Sequence, residues 1–119
     1  MKRSLLLGLV IASLALPTAA QDNRAAYDVA VRCFVANARA DDVEKRAGNE
    51  AAASRYRASA RVSFDALVVL GTALGKSRTQ MEADIQTSQD RDLPRMVSDS
   101  AYYRSVITTC RAYGLMPPA

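Results

Sequence analysis

The sequence predicts an all-α fold: a small bundle of about four helices, with one disulfide joining the first helix to the last. Three observations predict it. Alanine is abundant, and apolar residues recur at three- and four-residue steps instead of alternating. Glycine and proline fall mainly where those runs end. The two cysteines, Cys33 and Cys110, stand in the first and last of the runs.

The first twenty residues are set apart. Lys2 and Arg3 form a positive start, Leu5 to Leu16 an apolar run, and Pro17 breaks it before the small residues Thr18 to Ala20. This is the pattern of a secretory signal peptide, cleaved here after Ala20. The run is too short for a membrane anchor, which needs about 20 apolar residues. Residues 21–119 then form a single helical domain of 99 residues. Without Lys2 and Arg3, 14 basic residues face 12 acidic ones, a net charge of +2. That balance gives no reason to expect a nucleic-acid or anionic-membrane partner. No membrane span remains after cleavage, and the expected location is the periplasm.

The first helix is expected from Asp22 or Asn23, either of which can cap it, to about Arg39. Tyr27, Ala30, Val31, Phe34 and Ala38 lie on one face, with Cys33 beside them. A second helix is expected to start at Asp41 or Asp42, with Glu44 in its first turn, where the helix dipole favours acid. Its stripe reads Ala47, Ala51, Ala58, Val62, Ala66, Val69 and Ala73, with Gly48 as a kink or break. The segment "FDALVVLGTAL" is apolar nearly all round and is expected to be the most buried. Gly75 ends this helix.

Ser77 and Gln80 make a capping-box pattern for a third helix, with Met81 and Ile85 as its apolar stripe. This helix is expected to weaken in "SQDRDLPR", where Pro94 interrupts it. The last helix starts near Ser98 or Asp99, carries Tyr102, Tyr103, Val106, Ile107 and Cys110, and ends at Gly114. Leu115 is placed to fold back across its end.

An exported chain meets an oxidising compartment, where disulfides persist. Two cysteines allow one intramolecular pairing, Cys33–Cys110, which is the expectation. An intermolecular bridge and two buried thiols are the alternatives. Metal binding is not expected, because the chain has no histidine and no CxxC spacing. No cofactor is expected either.

No catalytic constellation stands out. The lack of histidine removes His-based acid–base and nucleophile pairs. "GTALGKS" is one residue too short for a phosphate loop and follows a helix instead of a strand. Asp41/Asp42, Glu82/Asp84 and Asp90/Asp92 read as helix caps or solvated loop carboxylates. The candidate interaction residues are Arg55, Arg57 and Arg61, around Tyr56, and the pair Tyr102 and Tyr103. The arginines can grip an acidic or phosphorylated partner or form a solvated face. The tyrosines can anchor an interface or pack in the core.

With its signal segment, "RCF", "EKRAG", an Ala-rich helix and a late "TTCRAYG", the chain resembles a loose group of small exported two-cysteine helical proteins of Gram-negative bacteria. That group carries no assigned function, so the resemblance implies a periplasmic helical domain and no site residues. The small acid-stress chaperones of the periplasm share size, helicity and a single disulfide, as analogy alone. The expected function is a non-enzymatic protein-interaction module with a protein partner in the envelope. The alternatives are an acid-stress chaperone, opened as its twelve carboxylates protonate, and an enzyme working through arginine, tyrosine and carboxylates.

Overall fold

The computed structural model describes residues 19–119. Four helices occur among them and no strand: α1 (Ala19–Arg46), α2 (Glu50–Ala73), α3 (Arg78–Ser98) and α4 (Ser100–Ala112). The expected signal segment lies outside the described residues, except that the backbone of Ala19 and Ala20 opens α1. No helix among the described residues is long and apolar enough to cross a membrane.

Helix α1 is the hub. It packs against the three others, most extensively along α2, whereas the backbones of α2 and α4 do not approach each other closely. Its buried residues include Tyr27, Ala30, Val31, Cys33, Val35, Ala36 and Asn37. They span more than one face, as a helix covered from several sides requires. Ala38, expected on the buried stripe, is exposed.

The boundaries of the first two helices differ from expectation. Asp22 and Asn23 lie inside α1 instead of capping it. Asp41 and Asp42 do not cap a second helix, because their carboxylates are used sideways. Asp41 accepts two bonds from Arg57 of α2, at 3.2 and 3.1 Å. Asp42 pairs with Arg46 one turn on, at 2.8 Å. The chain therefore stays helical to Arg46, and Gly48 ends the helix. Gly48 adopts φ +81°, which strains any residue carrying a Cβ. The N–H groups of Gly48 and Asn49 close back on the carbonyls of Lys45 and Glu44, at 3.1 and 2.9 Å, in a Schellman closure. The ends of α2 and α4 repeat it at the expected glycines.

The buried face of α2 also differs. Ala53, Ser63, Leu67 and Gly71 point inward, while Val62 and Val69 are 51 and 69 % exposed. The expected stripe sits one residue off the true one. "FDALVVLGTAL" is therefore not the most buried segment, which is the middle of α1. The segment is apolar nearly all round, so periodicity does not choose its face, and no element among the described residues covers its outer side.

Helix α3 opens with the expected capping box. Gln80 N–H donates to Ser77 Oγ at 3.1 Å, and Ser77 N–H donates to Gln80 Oε1 at 2.7 Å. It then runs unbroken through Pro94 to Ser98. Pro94 and Asp90 are both exposed, so water can take the Asp90 carbonyl that proline leaves without its helical donor. Asp99 closes α3 and caps α4, its Oδ1 accepting from Tyr102 N–H at 3.1 Å.

The Cys33–Cys110 disulfide is formed, with Cα atoms 5.6 Å apart, and joins α1 to α4. Beside it lies a buried polar knot. The Asn37 amide donates to the Cys33 carbonyl at 2.8 Å, to Ser63 Oγ at 3.3 Å and to the Leu115 carbonyl at 2.7 Å. This knot ties α1 to α2 and pins the segment after α4, where Leu115 and Met116 are buried.

Candidate functional site

A polar cleft of about 540 Å3 opens along α1, α3 and the start of α4. Its size falls within the range of small-ligand sites, about 300–1,000 Å3. Helix α3 builds most of one wall. Asp84, Ser88 and Asp92 follow one another at four-residue steps, and Arg91 and Arg95 flank them at the same spacing. Four-residue steps stack side chains on one helix face, so a single polar ridge results. Helix α1 answers with Tyr27, Asp28 and Arg32, the α2–α3 connection with Lys76, and α4 with Tyr102.

Two polar clusters occupy the cleft. In the first, Asp84 accepts from the Tyr27 hydroxyl at 2.7 Å and from Lys76 Nζ at 3.0 Å. The Lys76 ammonium also lies 5.0 Å from the Tyr27 ring centre, in cation–π range. Burial, assisted by the bond to Asp84, pushes the Tyr27 hydroxyl well above its ordinary pKa. Burial works against the Asp84 charge, but the Tyr27 and Lys76 donors outweigh it and hold the carboxyl below the usual range.

The second cluster surrounds Asp92, whose side chain is only 7 % exposed. Arg91 donates to it twice, at 3.0 and 3.2 Å. Ser88 Oγ donates at 2.8 Å and the Tyr102 hydroxyl at 3.4 Å. Arg32 Nε stands 3.8 Å away, an ion pair without a hydrogen bond. Arg95 stacks its guanidinium 3.9 Å from the Tyr102 ring centre. Burial opposes the Asp92 charge, and the Arg91 and Ser88 donors overcome it, so this pKa is lowered too.

Of the candidate interaction residues Arg55, Arg57, Arg61, Tyr102 and Tyr103, Tyr102 alone lines this cleft. Tyr103 packs against the core, half-buried, and burial raises its pKa. Arg57 is consumed by Asp41 and by Glu50, at 3.5 Å, and so serves to tie α2 to α1. Arg61 and Arg57 border a separate apolar groove formed by Phe34 and Phe64, whose rings lie 5.7 Å apart. Arg55 is exposed. The arginine cluster and the tyrosine pair are thus not brought together.

Sequence reasoning missed Tyr27, Arg32, Lys76, Arg91 and Arg95, and read Asp84 and Asp92 as caps or loop residues. The available signal was the Asp84–Ser88–Asp92 spacing. It was hidden by the expected break at Pro94, which placed part of the ridge outside a helix. No group of three or more His, Cys, Asp or Glu side chains is placed to hold a metal among the described residues. Among known proteins, no family model matches the chain, and neither a curated protein nor a solved structure matches it at a significant level.

Proposed function

We propose that this chain is a non-enzymatic binding module of the periplasm, exported by its N-terminal segment and stapled by Cys33–Cys110, that engages an envelope partner at the polar cleft. The observation that carries this reading is the cleft: concave, charged, and built mainly on regular helices, of which α1 and α4 are joined by the disulfide. Pre-organised polar groups on rigid elements favour recognition, since little ordering is left to be done on binding. The chemistry of the cleft supports a binding role over a catalytic one. The Tyr27 hydroxyl is spent on Asp84 and is harder to ionise than usual, the opposite of an activated base or nucleophile.

Photo-cross-linking in living cells tests the reading. A cross-linking residue placed at exposed Thr87, on the cleft wall, is expected to give a discrete adduct in the periplasmic fraction. The same residue at Val69, on the bare side of α2, serves as the control. Absence of any Thr87 adduct, or equal adducts at both positions, overturns the reading.

A second reading, an acid-stress chaperone, draws support from Asp84 and Asp92, since protonating both removes the negative charges that Lys76, Arg91 and Arg32 pair with in the cleft. Light scattering of an aggregating client at acid and neutral pH tests it. Failure to protect at either pH removes it.

A further inference from the structure

We propose that the Asp92 end of the cleft binds an oxyanion, a carboxylate or phosphate group borne by the ligand or partner. This rests on the reading of the cleft as the recognition site. The charges within that end do not balance. Arg32 and Arg91 lie against Asp92, and Arg95 lies over Tyr102, so three guanidinium groups stand against one buried carboxylate and the exposed Asp28. Arg91 satisfies Asp92 in a bidentate fork. Arg32 is left with its Nε buried and without a hydrogen-bond partner. Arg95 makes a cation–π stack and no ion pair among the described residues.

A buried donor without a partner is costly, and the cost falls when an acceptor arrives. Guanidinium forks match the geometry of carboxylates and phosphates. Stacking on Tyr102 holds the Arg95 plane in place before any ligand binds. Asp28 lies four residues before Arg32 on α1, exposed at the cleft wall. Its charge disfavours a second anionic group beside the first, so the site suits one oxyanion. The opposite end of the cleft is balanced, because Lys76 faces Asp84. An anion therefore has a preferred end.

The test is titration of the oxidised, signal-free protein with inorganic phosphate, with succinate and with a short acidic peptide, at constant ionic strength and with chloride as control. The readout is the NMR signal of the Arg32 and Arg95 Nε–H groups, with the Tyr102 amide as a third reporter. Saturable shifts at millimolar phosphate or succinate are expected, and absent with chloride. The strongest of the three probes identifies the source of the oxyanion. Arg95→Gln, at an exposed position, is expected to weaken binding by about tenfold, the loss of a charged hydrogen-bonding group. Arg55→Gln, at an exposed position on α2 outside the cleft, is expected to leave it within about twofold of wild type. Shifts that never saturate, that chloride reproduces, or that Arg95→Gln leaves intact overturn the proposal. A Thr87 cross-link adduct that persists alongside those results leaves the binding module standing and removes the anion alone.

Discussion

Replacing both cysteines, Cys33→Ala with Cys110→Ala, tests the largest single contribution to stability visible in this fold. The bridge spans 77 positions. Loop closure over that length removes about 15 cal/mol/K of unfolded-chain entropy, worth about 4.5 kcal/mol at 25 °C. A domain of this size is stable by about 5–15 kcal/mol, so the loss is a large share of the total. At about 4–8 °C per kcal/mol for domains of this length, Tm is expected to fall by about 20–35 °C. The assay is thermal and urea unfolding of the oxidised wild type, the reduced wild type and the double variant. The stabilisation is assigned to the unfolded state, so the urea m-value is expected to rise once the unlinked chain expands. Both cysteines are buried, and the reduced wild type separates the lost link from the small void left by alanine. A Tm drop below about 5 °C in both reduced wild type and double variant refutes the loop-closure reasoning. An unchanged m-value refutes its assignment to the unfolded chain.

Three further outcomes are expected. Asn37→Leu keeps the branching but adds bulk at a buried site and removes the side-chain amide that donates to the Leu115 and Cys33 carbonyls; a loss of at least about 1–3 kcal/mol is expected in urea unfolding, with faster amide exchange at Leu115 and Met116. Gly71→Ala puts a methyl group 2.9 Å from Tyr27 Cε1 and against the Met81 side chain; overpacking of about 1–3 kcal/mol is expected, relieved in part by Met81→Ala. Asp84 and Asp92 are both held below the ordinary carboxylate range in the fold, so the fold favours their charged forms. Their contribution is complete above the unfolded pKa of about 3.9 and is lost as pH falls through the lower folded values. Urea midpoints measured between neutral pH and pH 2 are expected to fall most steeply below about pH 4, and less steeply in Asp92→Asn.

Local signals sufficed at several helix ends. Gly75, Gly114, the Ser77/Gln80 box and the cap at Asp99 each depend on a few neighbouring residues, and each was legible, whereas Gly48 reads as a kink within the second helix and in fact ends the first. The candidate site was not, and particular residues show why. Asp41 and Asp42 have the chemistry of caps, but Arg57 and Arg46 claim them, and Arg57 comes from another helix. Pro94 reads as a break, yet an exposed position lets the helix continue past it. With that helix cut short, the Asp84–Ser88–Asp92 ridge could not be seen as one face.

The sequence by itself determined the helical class, the helix ends marked by Gly75, Ser77, Asp99 and Gly114, and the single intramolecular cysteine pairing, because turn chemistry, capping and the count of thiols are properties of short segments or of composition. Tertiary structure alone decided which face of α2 is buried, since a run apolar all round has no preferred side until a neighbour covers one. It also decided that Asn37 belongs in the core, where acceptors on α2 and after α4 converge on its amide. The cleft is of the same kind: Arg32 stands sixty residues before Asp92 in the chain, and the polar groups of Arg32, Asp92 and Tyr102 meet only when three helices bring them together.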